Sequence, residues 1–335
     1  MDALALGTSA FSDAARCLKR YEYRWVDLLV PKPRDVRPVI RRGIWIHRCL
    51  QLADQGKPWD TELEDMADWA IDQGVDPESA METRREVREL VEDYHAYWSG
   101  HEEAPGPWTL AGTEVPVSWH PKPNLHLTAT IDVLKLDKAG RLWIWERKST
   151  QEIPDSDWRS VDPQTMLQFV LARQMGMDIA GIVFDYICTR PGRVPRVTQR
   201  GQLYQSDENM QTRARQFAVA EAEMRKHGQG DTYIDLFRSR IVSDAAWFQR
   251  YVTFRPDDNA VATLKDLAQI TRYLKSAYES GYFPRSINVL DCRLFCPYGK
   301  LCMAEYRLGH QSEAYRDEYM TLATQEQWDQ GRSAA

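Results

Sequence analysis

The sequence predicts an α/β domain. Apolar residues open the chain at helical spacing and switch to two-residue alternation between about 108 and 150. They return to helical spacing at 162–176, and another buried strand follows at once. The chain has 335 residues, 43% hydrophobic and 27% charged, which is an ordinary soluble composition. That length suits one large domain or two modest ones. No apolar run approaches the roughly 20 residues a membrane helix needs. The start MDALALGTSAFSDAARC lacks a basic stretch followed by a long apolar core, so a cytoplasmic protein with no membrane partner is expected.

Taken in order, residues 8–30 read as a helix capped by Thr8 or Ser9, with Phe11, Ala15, Leu18 and Trp25 at helical spacing. The Pro-rich VPKPRDVRP ends it. A second helix spans about 39–54, with Ile40, Ile44, His47 and Leu50 on one face. Residues 58–104 are acidic and helix-patterned, an insertion without site-like residues. LAGTEVPVSW, LHLTATIDVLKLD and RLWIWERKS are three strands, joined by a long turn at HPKPN and a hairpin at DKAG. DPQTMLQFVLARQMG is a helix capped by Asp162 and stopped at Gly176, and IAGIVFDYICTR is a buried strand. Residues 205–281 are mostly helical with an interruption around 228–240, then comes the loop-rich GYFPRSINVLDCRLFCPYGKLC. The last twenty or so residues are polar, with disorder one reading of them.

Net charge is −6, yet between Arg16 and Arg42 nine Lys/Arg face three acids. Among them are Arg16, Lys19, Arg20, Arg24, Arg41 and Arg42. TRPGRVPRVTQR adds Arg190, Arg193, Arg196 and Arg200. Either cluster alone is a solvated face. Together, beside an acidic site, they favour phosphate contacts.

The acidic site starts from LWIWERKST. Residues i and i+2 of a strand share a face, so Glu146 and Lys148 project side by side. Asp132 interrupts the β-branched run TATIDVLKL, which is costly unless compensated, and the DKAG hairpin brings it near Glu146. Two carboxylates with an ammonium two residues on suit a divalent cation and a positioned water. An Asp–Lys ion pair at a sheet edge is the bland alternative. His47 on the apolar helix face reads as a core histidine or a ligand. Gln164 and Gln168, on one buried helix face, need partners, either backbone or a metal site or nucleic acid.

These pieces, in this order, resemble the RecB-like nucleases of the PD-(D/E)xK superfamily. The matching elements are Gly43…His47 for G-x-x-x-H, Ile131-Asp132, Glu146-Arg147-Lys148, then Gln164…Gln168…Gly176 and Arg190-Pro191. The resemblance covers roughly residues 8–310. It departs where Gln168 stands for the family's Tyr and Thr130 for its Gly. It implies a restriction-endonuclease-like core, a mixed central sheet with helices on both faces, wrapped by N- and C-terminal helices. It implies Mg²⁺ or Mn²⁺ held by His47, Asp132, Glu146 and the Arg147 backbone carbonyl. Lys148 would position water or stabilise charge, and Gln164 would orient Lys148's surroundings or the substrate. Glu114 stands as a surface residue or a supporting one. Arg16, Lys19, Arg20, Arg24, Arg41, Arg42, Gln168, Arg190 and Arg193 would line a DNA path.

Of six cysteines, three crowd into CRLFCPYGKLC. Cys17 with Cys292, Cys296 and Cys302 is similar to the layout of the iron–sulfur exonuclease branch, which includes the AddB nuclease domain and CRISPR-associated and phage exonucleases. The resemblance implies a 4Fe-4S cluster. A structural zinc is the alternative, and the spacing is C-x3-C where the family has C-x2-C. Cys49 and Cys188 read as core residues.

The expected organisation is one nuclease domain, 1–310, with a polar tail at 311–335. Within it, 1–57 holds the N-terminal helices, 58–107 the helical insertion and 108–200 the core, while 201–284 is helical and 285–310 carries the cysteines. The expected activity is a metal-dependent DNA exonuclease acting from ends or on single strands, in recombination, repair or phage DNA metabolism. The alternatives are a non-catalytic DNA-binding scaffold on the same fold, a nonspecific endonuclease, or an RNase. No Walker A motif is present, so a helicase would be a separate partner.

Overall fold

The computed structural model describes residues 4–101, 108–123, 125–154, 162–254, 257–286, 288, 292–293, 296–309 and 313–323. The chain runs β1 (Leu4–Gly7), α1 (Thr8–Arg16), α2 (Leu18–Tyr21), β2 (Leu29–Pro31), α3 (Pro38–Asp54), α4 (Trp59–Asp72) and α5 (Pro77–Ser99). The middle is β3 (Thr109–Lys122), β4 (Leu125–Leu136), β5 (Leu142–Thr150), α6 (Pro163–Gln174) and β6 (Ile179–Cys188). It closes with α7 (Ala214–Lys226), α8 (Asp231–Ile241), β7 (Phe248–Phe254), α9 (Asp257–Ser280), α10 (Gly299–Leu308), α11 (Glu313–Tyr319) and β8 (Met320–Leu322).

The central sheet is mixed, as expected. Its strands lie in the order β1-β4-β5-β6-β7, with β3 also paired to β4. β1 and β6 run parallel to their neighbours β4 and β5, and the other pairs are antiparallel. β3 takes one edge of β4 along most of its length, so β1 and β5 share the other edge. β1 pairs with residues 125–128 of β4 and β5 with residues 133–136. Among the described residues, no strand lies beside 129–132 of β4 on that edge, and Asp132 stands in the gap.

Alternation along the strands decides what covers each face. On one face Leu127, Ile131, Ile144, Ile182 and Phe184 bury against α1, α6 and α9, through Phe11, Leu167, Leu171, Leu267 and Leu274. On the other face α3, α4 and α5 pack together and onto Ile187, Cys188 and Phe248. Trp143 and Trp145 fill the space beneath with Val133 and Val183. Among the described residues, no helix is long and apolar enough to cross a membrane.

The sequence expectations need four corrections. Residues 8–30 are not one helix: Cys17 is extended, with φ −166° and ψ 119°. The cause is Asp13, buried at 3% exposure. It draws the following turn back on itself by an ion pair with Arg20 at 2.5 Å and by accepting from Arg24 at 3.2 Å and the Trp25 indole at 3.0 Å. Second, β7 interrupts the region read as helical. Its polar Gln249 and Arg250 mask the alternation, and Asp185 meets the half-buried Arg250 on the neighbouring strand. Third, β3 runs on through the HPKP segment to Lys122, leaving a short turn rather than a long one. Fourth, the described part of the 311–335 tail, residues 313–323, is ordered into α11 and β8, and β8 pairs with β2. The rest of that tail lies outside the described residues.

The β4–β5 hairpin sets the register of the site, and Asp137 holds it. Its carboxylate accepts from the N–H groups of Ala139 (2.9 Å) and Arg141 (3.0 Å), Arg141 Nε (2.8 Å) and the Trp143 indole (3.1 Å). Desolvation works against the charge, but the Arg141 N–H and the Trp143 indole outweigh it and bring the pKa down to about 2. An unfolded aspartate titrates near 3.9, so as pH falls the unfolded chain protonates first. The stabilisation is complete above about pH 4 and is lost as pH falls through about 2. The melting-temperature gap between wild type and Asp137→Asn should be open at neutral pH and close on acidification through that window. A gap independent of pH would show that Asp137 acts by packing instead.

Candidate active site

The site grows from the unpaired stretch of β4. Beyond the Val133–Trp145 pair the two strands part, and the Asp132 carboxylate faces the Arg147 backbone closely enough for its N–H to favour the charged form. Glu146 points into the same opening at 2% exposure. Lys148 Nζ lies 2.5 Å from Glu146 Oε1 and 2.8 Å from Asp162 Oδ2. Asp162 also caps α6, accepting the Gln164 N–H at 3.2 Å and the Thr165 hydroxyl at 2.9 Å. One carboxylate thus fixes both a helix start and the site's ammonium.

His47 arrives from α3, with Nδ1 at 3.9 Å from Asp132 Oδ2, near but beyond hydrogen-bond range. The reason for Gly43, one turn earlier, is steric. A Cβ there would lie 2.8 Å from Ser149 Oγ. Glycine lets α3 lie close over the end of β5, and so delivers His47 to the gap. Glu114, opposite Asp132 on the paired strand β3, has φ 49°, a left-handed conformation unusual for a side chain with a Cβ. Desolvation and the Glu146 charge push its carboxyl pKa up, against Arg48.

Burial raises the pKa values of both Glu146 and Asp132 while Lys148 opposes; the Asp132 charge adds to the rise of Glu146, and the Glu114 charge to that of Asp132. Burial would lower Lys148, but Glu146 and Asp162 overcome this and hold it raised, as a firm ammonium. Desolvation, then the Arg147 charge, lowers His47 to about 4, leaving a neutral imidazole able to act as a ligand. Glu146 Oε2 is buried without a hydrogen-bond partner. An orphaned carboxylate oxygen beside a second carboxylate and a neutral imidazole fits a hard divalent cation. Among the described residues, no three His, Cys, Asp or Glu side chains are already drawn into a metal-holding group.

Asp132, Glu146, Lys148 and His47 therefore come together. Gln164 lies at the start of α6, its N–H on Asp162. Gln168 does not reach the surface. It is fully buried and donates to the Thr130 carbonyl at 2.9 Å, the backbone role an amide takes inside a helix–sheet contact.

The proposed DNA-lining residues divide. Arg41 is 6% exposed, bonded to Ser79 Oγ and stacked on Trp45. Arg42 binds Glu86 and the Thr189 carbonyl. Both are structural, because α5 packs over them. Arg20 and Arg24 are held by Asp13, and Lys19 by Glu22 and Glu305. Arg16 and Arg190 are exposed. Arg193 is exposed too, though it meets buried Asp207 at 3.3 Å.

Sequence reasoning missed one constellation. On the face opposite Glu146, Arg147 lies 2.6 Å from Asp54 and 3.8 Å from Asp185, while Asp185 accepts from Tyr94 (2.5 Å) and Arg250 (3.1 Å). The insertion at 58–104 thus does carry a polar residue of consequence, Tyr94. The signal was present: a carboxylate inside the apolar run IAGIVFDYIC.

A second cluster lies where α1 ends. Cys17, Cys292, Cys296 and Cys302 are half-buried free thiols. The Ser286 N–H donates to Cys17 Sγ at 3.4 Å, Cys292 Sγ to the Ser286 carbonyl at 3.7 Å, and Arg285 Nε to Cys302 Sγ at 3.2 Å. Burial raises the Cys296 pKa, with Cys292 and Cys17 close enough to add to it. A Cβ on Gly299 would fall 2.0 Å from the Cys292 carbonyl, so only glycine lets the Cys-Pro-Tyr-Gly turn close. Cys49 and Cys188 are buried in the core at 0% and 2% exposure.

The family model for the PD-(D/E)XK nuclease superfamily matches residues 5–303. No curated protein matches the chain.

Proposed function

Since this chain belongs to the PD-(D/E)XK nuclease superfamily, we propose that it is a metal-dependent DNA exonuclease of the RecB-like branch. The superfamily implies a nuclease using Mg²⁺ or Mn²⁺. The observation that carries the reading is the buried, unpartnered Glu146 Oε2 beside Asp132, with Lys148 fixed between Glu146 and Asp162. His47, Asp132, Glu146 and the Arg147 carbonyl would hold the cation. When bound, it supplies Lewis-acid polarisation of the phosphate and acidifies water.

The chain's own residues do the rest. Lys148 is a permanent donor because two carboxylates raise its pKa. It orients water or meets charge developing on the phosphate rather than removing a proton. Burial of Glu146 keeps bulk water away from it, which strengthens each charge interaction there. Arg190 and Arg193, beyond the end of β6, contact the phosphate backbone.

One test separates the phosphate contacts from structural arginines. Arg190→Ala should weaken DNA binding and lower the slope of log affinity against log salt by about 1. Arg41→Ala should leave that slope unchanged and lower the melting temperature. Equal slopes in both variants would remove the loop at 190–200 from the DNA path.

The substrate class is tested by digestion of linear and circular, single- and double-stranded DNA, and of RNA, with Mg²⁺ and with Mn²⁺. Loss of linear DNA from its ends, with circles spared, is expected. Cut circles would make the enzyme an endonuclease, and preferential loss of RNA an RNase. No metal-dependent cleavage of any substrate would leave the scaffold reading. We also propose that Cys17, Cys292, Cys296 and Cys302 hold a 4Fe-4S cluster and that a separate helicase or recombination protein delivers the DNA.

A further inference from the structure

Arg147 stands between the two reactive residues of Glu146-Arg147-Lys148, yet its side chain leaves by the opposite face of the sheet. It is 4% exposed there, and carboxylates from two elements meet it. From α3, Asp54 approaches to 2.6 Å, and from β6, Asp185 to 3.8 Å. Asp185 faces Arg147 on one neighbouring strand and Arg250 on the other, so the three charges form an alternating row across β5, β6 and β7. Tyr94 of α5 closes the row, donating to Asp185 and accepting from Arg250 Nη2 at 2.7 Å. Lys135 lies 3.9 Å from the other Asp54 oxygen and 3.9 Å above the Trp145 ring.

The position of Asp54 gives this row a consequence. At 100° per residue, Gly43, His47 and Asp54 fall on one side of α3. Gly43 lies against Ser149, His47 against Asp132, and Asp54 against Arg147. The helix that carries the imidazole is thus fixed to β5 at one end by close approach and at the other by a buried ion pair. The pair is expensive to bury and breaking it leaves an uncompensated charge, so a shift of α3 along β5 is strongly opposed.

We infer that Asp54 and Arg147 are positioning residues that set the reach of His47 to the Asp132–Glu146 pair, and with it the affinity for a divalent cation. The inference rests on the nuclease reading of the same site. Groups that orient ligands from behind typically contribute 10–100-fold in metal affinity.

The test is Mn²⁺ binding to the full chain by titration calorimetry, with thermal melting as a separate readout. Asp54→Asn keeps size and leaves Asp185 paired with Arg250 and Tyr94, so the fold should persist. It should weaken Mn²⁺ binding roughly tenfold, and Asp54→Glu should recover most of the affinity. In the His47→Ala background, Asp54→Asn should have little further effect, because the clamp acts through the imidazole. A lower melting temperature with unchanged Mn²⁺ affinity overturns the inference, as does full additivity with His47→Ala. Absence of Mn²⁺ binding by the wild type itself overturns the nuclease reading and the clamp with it. That failure is visible without any variant, and so is distinct from failure of the clamp alone.

Discussion

Glu146→Gln should lower metal-dependent cleavage by roughly a thousandfold or more, and leave the melting temperature unchanged or higher. The two halves of that outcome have one cause. Glu146 is 2% exposed, with one oxygen on Lys148 and the other without a partner. A buried charge so placed costs stability. Its pKa is raised by burial, so the folded state resists ionisation more than the unfolded chain does. By linkage, stability is lost as pH rises from the unfolded pKa through the folded one, and glutamine, having no charge to bury, removes that loss. Lys148 keeps Asp162, so no ammonium is left alone. The same change takes away a carboxylate that the cation needs, and one carboxylate holds a hard cation weakly. Measurement of cleavage and of melting on the same preparation checks it. Wild-type cleavage in Glu146→Gln would sink the site assignment. A sharply lower melting temperature would instead make Glu146 a structural partner of Lys148.

Much of this site was legible in the sequence because it is local. The two-residue period of a strand places Glu146 and Lys148 on one face without knowledge of the rest of the chain. An Asp within TATIDVLKL announces itself by cost, and DKAG ties it to Glu146. The four-residue step from Gly43 to His47 is one helical turn. What was not legible depends on contacts between distant segments. Nothing near Gln168 says that its amide will meet the Thr130 carbonyl, and a substrate role was assigned to a fully buried residue. Arg41 and Arg42 look like any basic surface until α5 covers them. β1 has only four residues, and its pairing with β4 alone makes it a strand. Arg147 is the clearest case. In the sequence it is the variable letter of a motif, and only the fold joins it to Asp54, Asp185 and Arg250. Charge rows across a sheet belong to register, which local periodicity does not encode.

The cysteine cluster carries the other large expectation, and there the argument is topological. Cys17 sits at the break between α1 and α2, and its sulfur meets the N–H of Ser286, 269 residues along the chain. A metal centre on Cys17, Cys292, Cys296 and Cys302 would close that loop. By analogy with a disulfide across so long a loop, closure is worth about 5 kcal/mol, or a melting-temperature fall on the order of 10 °C when it is lost. Protein prepared without oxygen should be brown. Cys17→Ala should bleach it and lower the melting temperature by that order, while Cys188→Ala, a core substitution at 2% exposure, should keep the colour. Arg285 and Ser286 already aim N–H groups at two of the sulfurs, as the surroundings of thiolate ligands commonly do. The Gly299 turn brings the Cys292 backbone in closely, and Cys292 lies near enough to Cys296 to help raise its pKa. A colourless protein with one tightly held zinc would replace the cluster with a four-thiolate zinc site and preserve the staple. Four thiols that bind neither metal, and that can each be replaced without loss of melting temperature, would leave the join between the N-terminal helices and the C-terminal segment to contacts such as the Lys19 N–H on the Pro284 carbonyl, the Lys19–Glu305 ion pair and the Tyr23 hydroxyl on Glu305.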